Sequence, residues 1–458
     1  MPQYYENVQK AMDVAIAESS EMSQAMMLWD LMYRNKAPWL TPEIKTLSLP
    51  SGICSEMATA VTMEARIRLR EDNEMGHALQ NGFAQVADDI GDLVELISGY
   101  GSVVLKPYVS GGRVFVDYVR GNNVFPVQFG TNRQLTSAIF PEFITRGKML
   151  YTRLEFHEYD ENSGKYTIIN RAFKSVKASV MTNEISNLGK EIPLDKVPQW
   201  ADLEPEVVLH GATIPLFVYL RCPIVNHIDP DSPIGVSLYA RSPGLIQQAD
   251  EQWGATIWEY RSKETAIQAG REFFKTNINT GEPIIPAGKE RLYTDLGDAT
   301  DKDGAPFFNV YSPQIRDTSF FNAFNRQLQR IEFNCRLSYG TLSDPQSVDK
   351  TATEVKVSKQ RFYSTVKRFQ ESVLRPGLQH LTDAMAVLAD QAGLAPYGYT
   401  QVFADFDDSV VVDKESERKA DLADVAAGIM QPWEYRMKYY RETEERARTM
   451  IMDDPELV

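Results

Sequence analysis

The chain has 458 residues, of which 43% are hydrophobic and 24% charged, enough material for two or more ordinary cores. Its net charge of -15 and pI near 5.0 argue against static, high-affinity binding of DNA or RNA. Three cysteines without paired spacing predict neither a disulfide framework nor a zinc site, and the absence of a signal-peptide pattern or an apolar run of about 18 residues predicts a protein neither secreted nor membrane-spanning.

The first half of the chain changes from helical to strand periodicity. Up to about Arg70 apolar residues recur at helical spacing, with Met57, Val61 and Ala65 aligned on one face. A single further helix is predicted over "ALQNGFAQVADDIGDLVELISG", ending at Gly99. From Ser102 to about residue 220 alternating strands and the turns "VSGGRV" and "DENSGKY" predict a mainly antiparallel β module.

Two long helices are predicted in the second half, with a loop-rich insert between them. The first is capped by Ser242 and runs to Gln268. Its apolar stripe comprises Ile246, Ala249, Trp253, Ile257, Tyr260 and Ile267. Glycine and proline break up residues 273–312. The second helix carries a packing seam of Phe321, Phe324, Leu328, Ile331 and Cys335. The pattern predicts a helical hairpin with a small separate domain at its tip.

A polar stretch, "TLSDPQSVD", precedes another amphipathic helix. The apolar stripe of this helix comprises Val355, Phe362, Val366, Phe369 and Val373. Arg361, Arg368 and Arg375 are predicted to form a ridge on its opposite side. A strand-like "QVFADFDDSVVVD" and two short helices, 414–427 and 432–451, complete the chain.

Motifs for catalysis are weak. "GEPIIPAGKE" is too long between its glycines for a phosphate loop and has Glu290 where a hydroxyl is required. "DATDKDGAPFFNV" lacks two carboxylates that a calcium loop needs, and the five histidines are scattered. Asp405, Asp407 and Asp408 lie close enough in sequence to hold a divalent ion, although a surface acidic turn has the same composition. We therefore expect no enzyme, no cofactor and no metal.

The order of these segments resembles a tailed-bacteriophage portal protein of the long-tailed phage type, the head-to-tail connector. The resemblance runs from "LPSGICSEMATAVTMEARIRL" through the helix, glycine turn and hairpin to "NNVFPVQF" and "YTRLEFHEY". The strings "SLYARSPGLI" and "KTATEV" are its more specific part, followed by the terminal "ERKADLADVAAGIMQPWEYRMKYY". It implies an α+β fold with an α/β wing, an antiparallel helical-hairpin stem, a small α/β clip, a tunnel helix and a short helical crown.

The resemblance also implies a division of the chain. The segments are the wing at 1–237, stem helix 1 at 238–268, the clip at 269–313, stem helix 2 at 314–340, the tunnel loop at 341–351, the tunnel helix and wing return at 352–400, and the crown at 401–458. Residues implied to face DNA in the tunnel loop are Ser343, Asp344, Gln346, Ser347 and Lys350. Lys356 and Lys359 are implied phosphate contacts.

Portals of this type form a ring, commonly of twelve subunits, at one capsid vertex. The implied partners are copies of the chain, double-stranded DNA in the channel, the terminase large subunit, a head-tail adaptor, and capsid protein or scaffold, without a membrane. The implied location is the virion, and the host cytoplasm during assembly. Because duplex DNA carries about one charge per 1.7 Å, about 50 Å of channel holds roughly 30 phosphates, and an acidic wall lets this polymer slide.

Two questions stay open at the sequence level. The arginine ridge at 361, 368 and 375 either pairs with carboxylates of a neighbouring subunit or faces DNA, and the planar guanidinium favours fixed protein contacts. The chain is either the conduit, another non-enzymatic virion adaptor or scaffold, or a metal-dependent enzyme that uses Asp405, Asp407 and Asp408.

Overall fold

The computed structural model of the chain describes residues 3–70, 72–176, 188–262, 266–280, 282–284, 292–297, 299–300, 304–305, 307–311, 317–344, 352–406, 414–440 and 442–452. These residues form a mixed α+β structure of helices and mainly antiparallel sheets. Within them, no helix is long and apolar enough to cross a lipid bilayer.

The helices are α1 Gln3–Met12, α2 Ser20–Tyr33, α3 Leu49–Thr62, α4 Glu74–Asp88, α5 Ile90–Tyr100, α6 Pro243–Ser262, α7 Asp317–Asn334, α8 Ala352–Arg368, α9 Arg375–Gln391, α10 Lys414–Ala426, α11 Pro432–Tyr440 and α12 Glu444–Met452. The strands are β1 Ala65–Leu69, β2 Ser102–Ser110, β3 Arg113–Arg120, β4 Phe125–Phe129, β5 Leu135–Arg146, β6 Met149–Asp160, β7 Lys165–Val176, β8 Lys190–Ile192, β9 Glu206–His210, β10 Val218–Arg221, β11 Ala266–Ala269, β12 Lys275–Thr276, β13 Pro283–Ile284, β14 Tyr293–Asp295, β15 Phe308–Tyr311 and β16 Val402–Phe406.

The largest core lies between helices α2 to α5, α9 and the sheet β10–β2–β3. Helix α2 starts at Ser19, whose Oγ accepts from the backbone N–H of Met22 at 3.2 Å. Helix α5 ends at Gly101, whose φ of 81° lies in the left-handed region. A Cβ at Gly101 would lie 2.6 Å from the carbonyl oxygen of Gly235, so only glycine fits this close approach.

A second sheet forms the outer part of the β module. Its strands pair in the order β4–β5–β6–β7–β8, and β9 also pairs with β7. One face packs on a core that includes Phe140, Tyr166 and Phe217, and the other carries Ile139, Leu154 and Phe156. The predicted mainly antiparallel β module at 100–220 is therefore confirmed.

The N-terminal arm covers this second face. Val8 and Met12 of α1 and the following Ile16 are buried against the sheet. At the end of the arm Glu18 is 5% exposed and accepts a hydrogen bond from the Tyr5 hydroxyl at 3.0 Å. Its other carboxylate oxygen has no hydrogen-bond partner among the described residues. Burial raises the pKa of Glu18 to about 7 against hydrogen bonds that lower it.

This arm should weaken as pH rises. Because the folded-state pKa of Glu18 exceeds its ordinary value of 4.5, its stabilising contribution is complete below about pH 4.5 and is lost as pH rises through about 7. The loss of folding free energy at pH 8 is about 3 kcal/mol. We expect Glu18→Gln to remove this dependence in urea unfolding between pH 5 and 8. The exposed Glu21→Gln is the control, and an unchanged pH slope in Glu18→Gln would contradict the assignment.

Several predicted helix boundaries were wrong. The single helix predicted to end at Gly99 is two helices that break at Asp89, whose carboxylate accepts from the Tyr118 hydroxyl at 3.0 Å. Met57, Val61 and Ala65 do not lie on one helical face either, because α3 ends at Thr62 and Ala65 lies beyond it. Residues 65–69 form β1 instead and pair antiparallel with β16. Strand β16, predicted to open the crown, thus packs beside the N-terminal helices.

Helix α6 was predicted to run to Gln268, but it ends at Ser262. Ile267 lies in β11 at the centre of a three-stranded sheet, opposite Tyr293 on one side and Val310 on the other. Its backbone is therefore paired on both sides by neighbouring strands instead of continuing the helix. The division into wing, stem, clip, tunnel and crown remains a prediction.

Candidate functional site

Helices α6 and α7 pack antiparallel. The rings of Trp253 and Phe324 lie 5.8 Å apart. The amide of Gln252 donates to the carbonyl oxygen of Phe320 at 3.2 Å, and that of Gln327 donates to the carbonyl oxygen of Leu245 at 2.9 Å. These contacts give one consistent register along a helix of about 30 Å. The predicted helical hairpin is therefore present.

A buried carboxylate fastens α6 to the N-terminal part. Asp250 is 2% exposed and accepts from Trp39 Nε1 at 2.9 Å and from the backbone N–H of Leu47 at 2.8 Å. Burial raises the pKa of Asp250 against these two hydrogen bonds, which lower it. Both bonds span more than two hundred residues of sequence, so they fix the base of the hairpin to the larger core.

The far end of the hairpin carries two small sheets, β14–β11–β15 and β12–β13. Phe273 and Phe308 pack with ring centroids 5.3 Å apart, yet both remain exposed. Other exposed apolar side chains at or near the tip are Trp258, Ile278, Ile284 and Val310. Ile278 is 99% exposed and Trp258 67% exposed. A single copy of the chain leaves this apolar surface uncovered.

The loop after α7 is held by Glu332, which is fully buried. Its Oε1 accepts from the backbone N–H groups of Gly340 at 3.1 Å, Leu342 at 2.6 Å and Ser343 at 2.8 Å. Its Oε2 accepts from the Ser343 hydroxyl at 2.9 Å. The backbone N–H of Asp344 donates to Asn325 Oδ1 at 2.8 Å. The start of the predicted tunnel loop is therefore anchored to α7.

These contacts correct the prediction that Ser343 faces DNA. Ser343 is 4% exposed and its hydroxyl is used by Glu332, so it is an anchor of the loop. Asp344 is exposed. Gln346, Ser347 and Lys350 lie outside the described residues, as does the side chain of Lys356. Lys359 is exposed on α8, and its predicted contact with phosphate stays a prediction.

The three arginines predicted to form one ridge are in three different environments. The guanidinium of Arg361 lies over the Phe333 ring at 4.4 Å and is partly buried. Arg368 is exposed. Arg375 pairs with Glu371 through Nε at 2.7 Å and Nη2 at 3.1 Å. A π-helical turn over Phe369–Leu374 separates Arg368 from Arg375, so Arg375 does not continue the seven-residue spacing of Arg361 and Arg368. The apolar stripe continues through this turn with Val366, Phe369 and Val373 buried.

A charged cluster that was not predicted from the sequence joins the sheet β10–β2–β3 to the sheet that contains β6. Glu155 on β6 pairs with Lys106 on β2 at 2.6 Å and with Arg153 at 3.0 Å. Its other oxygen accepts from His157 Nε2 at 2.8 Å, and His157 Nδ1 in turn accepts from the Tyr166 hydroxyl at 2.7 Å. Arg153, Glu155 and His157 stand at alternate positions of β6, so their side chains share the face of the sheet that meets Lys106. A charged residue at inward positions of a strand was the available signal.

Ionisation follows from this geometry. Burial alone would raise the pKa of Glu155, but Lys106, His157 and Arg153 outweigh it and hold the pKa well below its ordinary value. Burial lowers the pKa of His157 against the attraction of Glu155, which favours a neutral imidazole. The network is a polar connection between the two sheets.

In the described part of the chain, no group of three or more His, Cys, Asp or Glu side chains converges. Asp405 is exposed on β16 opposite Arg66. Asp407 and Asp408 lie outside the described residues. The three cysteines are buried thiols, and burial raises the pKa of each.

Comparisons with known proteins give one kind of match. No family model matches the chain, and no curated protein does. Solved structures do match, among them one described as "Neck of native GTA particle computed with C12 symmetry". It is 11% identical, and the alignment covers 94% of this chain and 97% of the other with a TM-score of 0.45. That score is too low to assign a shared fold.

Proposed function

We propose that the chain is a phage portal protein, a non-enzymatic ring of about twelve copies at one capsid vertex through which double-stranded DNA is packaged and ejected. The observation that carries the proposal is the antiparallel pair α6 and α7, about 30 Å long, with small sheets at its far end. The segment order and the strings "SLYARSPGLI" and "KTATEV" support the same assignment.

Ring formation explains the uncovered apolar side chains. Trp258 on α6 and Ile278 at the tip are largely in solvent in one copy. Stable homo-oligomers commonly bury about 2,000 Å² or more per interface, with an apolar centre. Side-by-side hairpins supply such a surface around a closed ring, because each copy offers one side of the pair to its neighbour.

The acidic balance suits passage of a polyanion. A net charge of -15 per chain keeps phosphates from binding tightly to the wall, and the polymer remains free to move. In this proposal the packaging motor, the terminase large subunit, hydrolyses ATP, and the tip sheets bind first the motor and later a head-tail adaptor. The outer β module contacts capsid protein or scaffold.

The ring is tested by native mass measurement and negative-stain imaging of the purified chain. We expect an assembly of about twelve copies of the 51.9-kDa chain with a central hole. Trp258→Glu should lower the ring fraction at least tenfold, which corresponds to about 1.4 kcal/mol in the free energy of ring assembly. Tyr399→Glu is the matched control, since Tyr399 is also 67% exposed but lies outside the hairpin. A monomer at micromolar concentration of the unaltered chain would overturn the proposal.

Two alternatives have distinct outcomes. Another virion adaptor or scaffold component would form a small oligomer without a central hole. A metal-dependent enzyme that uses Asp405, Asp407 and Asp408 would cleave duplex DNA with Mg²⁺ and lose that activity with a chelator. The proposed conduit does neither.

A further inference from the structure

Four arginines gather where α6 begins, where α7 ends and along α8. Arg241 immediately precedes the Ser242–Pro243 start of α6, and Arg336 follows α7. Asn334 next to Arg336 donates to the carbonyl oxygen of Arg241 at 3.5 Å. Arg361 and Arg368 lie seven residues apart on α8. We call these four residues the arginine cluster.

The guanidinium of Arg361 is held in place before any ligand binds. It lies over the rings of Phe333 at 4.4 Å and Tyr339 at 5.7 Å, and its Nη2 is 3.5 Å from the carbonyl oxygen of Leu337. Its Nε is buried and has no hydrogen-bond acceptor among the described residues. A buried donor without an acceptor is unfavourable, so the position of Arg361 is not explained by the hydrogen bonds of the described chain alone.

The cluster has no salt-bridge partner in the described part of the chain. No carboxylate there forms a salt bridge with any of its four members. Burial, followed by repulsion from Arg241, Arg368 and Arg361, lowers the pKa of Arg336. Four like charges at one junction of a chain with net charge -15 favour an anionic partner.

The backbone at Arg336 adds an independent observation. Its φ is 59°, in the left-handed region, where it closes α7 with the N–H of Leu337 bonded to the carbonyl oxygen of Glu332 at 2.9 Å. Helices that end this way usually have glycine at that position, because a side chain is strained there. Arg336 therefore occupies a position where glycine would make the folded chain more stable.

We propose that the arginine cluster binds surface carboxylates of a second copy of this chain. The inference rests on the proposed ring and assigns one of its contacts. Aspartate and glutamate side chains are narrow enough to reach the half-buried Arg336 and Arg361, and their planar carboxylates match the guanidinium fork. A rod-like duplex would reach mainly the exposed Arg241 and Arg368. Arg375 is excluded from the cluster, since Glu371 already pairs with it.

Arg336→Gly tests the proposal, and Arg133→Gly is its control. It removes one guanidinium and also the backbone strain, so the unfolding midpoint should rise while the ring fraction falls at least tenfold. Arg133→Gly removes an arginine with φ of 62° from a turn in the β module. It should raise the midpoint in the same way and leave the ring unchanged. Arg368→Glu should also lower the ring fraction.

Each outcome separates the two proposals. If the unaltered chain forms rings and Arg336→Gly and Arg368→Glu form them equally well, the contact between copies is refuted and the ring stands. If rings persist but retention of a 30-base-pair duplex at low salt falls, the cluster binds phosphates and the proposal is wrong. If the unaltered chain is monomeric, the ring itself fails. If Arg336→Gly loses both ring and folded stability, its role is structural, which also refutes the proposal.

Discussion

Replacing Glu155 with glutamine should lower the free energy of unfolding by about 3–5 kcal/mol, because removing one member of a buried ion pair leaves its partners uncompensated. Lys106 and Arg153 contact the same carboxylate oxygen, at 2.6 and 3.0 Å, and both side chains are about nine-tenths buried. Glutamine would also leave one amide oxygen as the acceptor for His157, Lys106 and Arg153, where the carboxylate offers two. Urea unfolding at pH 7 measures the change.

Glu142→Gln is the matched control. Glu142 pairs with the same Arg153 from the neighbouring strand at 2.8 Å, but its side chain is 44% exposed. Exposed pairs contribute about 0–1 kcal/mol, so the control should change little. Equal losses in the two variants would show that burial does not set the strength of this network.

The network also predicts acid sensitivity. Because the folded-state pKa of Glu155 lies below its ordinary value, its stabilisation is present above that value and is lost as pH falls through the folded pKa. The lowered pKa of His157 acts in the same direction, beginning below its ordinary value of 6.5. The Glu155→Gln variant should therefore lose less stability than the unaltered chain between pH 6 and 3.

Elements with long, regular periodicity could be predicted from the sequence. The alternation in the β module and the two hairpin helices α6 and α7 are present where the pattern placed them. Boundaries failed where tertiary contacts override local periodicity. Ile267 continues the helical stripe in sequence, but strand partners on both sides take its backbone. At the break between α4 and α5, Asp89 accepts a hydrogen bond from Tyr118, 29 residues away, a contact that local periodicity does not contain.

The candidate site could be predicted only as a segment. Arg361, Arg368 and Arg375 share a face on an ideal helical wheel. A π-helical turn over Phe369–Leu374, which the local sequence pattern does not predict, moves Arg375 off that face. Arg241 and Arg336 reach the same junction because α6 and α7 are antiparallel, which brings together residues 95 positions apart. Ser343 looked like a solvent-facing loop residue because its acceptor, Glu332, belongs to the preceding helix.

Replacing Glu332 with alanine is expected to lower the free energy of unfolding by about 4 kcal/mol. Its carboxylate accepts hydrogen bonds from three backbone N–H groups and from the Ser343 hydroxyl. Alanine leaves these four donors without that acceptor. Each buried donor left unsatisfied costs about 1–3 kcal/mol, reduced where the loop can move to reach water. Urea unfolding gives the loss, and chymotrypsin cleavage after Tyr339 should become faster.

Three further variants locate the effect. Ser343→Ala removes one hydrogen bond and should cost about 1 kcal/mol. Glu332→Gln keeps one oxygen for the three N–H groups, so its loss should lie between those of Ser343→Ala and Glu332→Ala. Glu251→Ala, on the exposed face of α6, should change stability by less than about 0.5 kcal/mol. If Glu332→Ala unfolds like the unaltered chain, this carboxylate does not anchor the loop, and the path from α7 into residues 340–344 must be held by Asn325 instead.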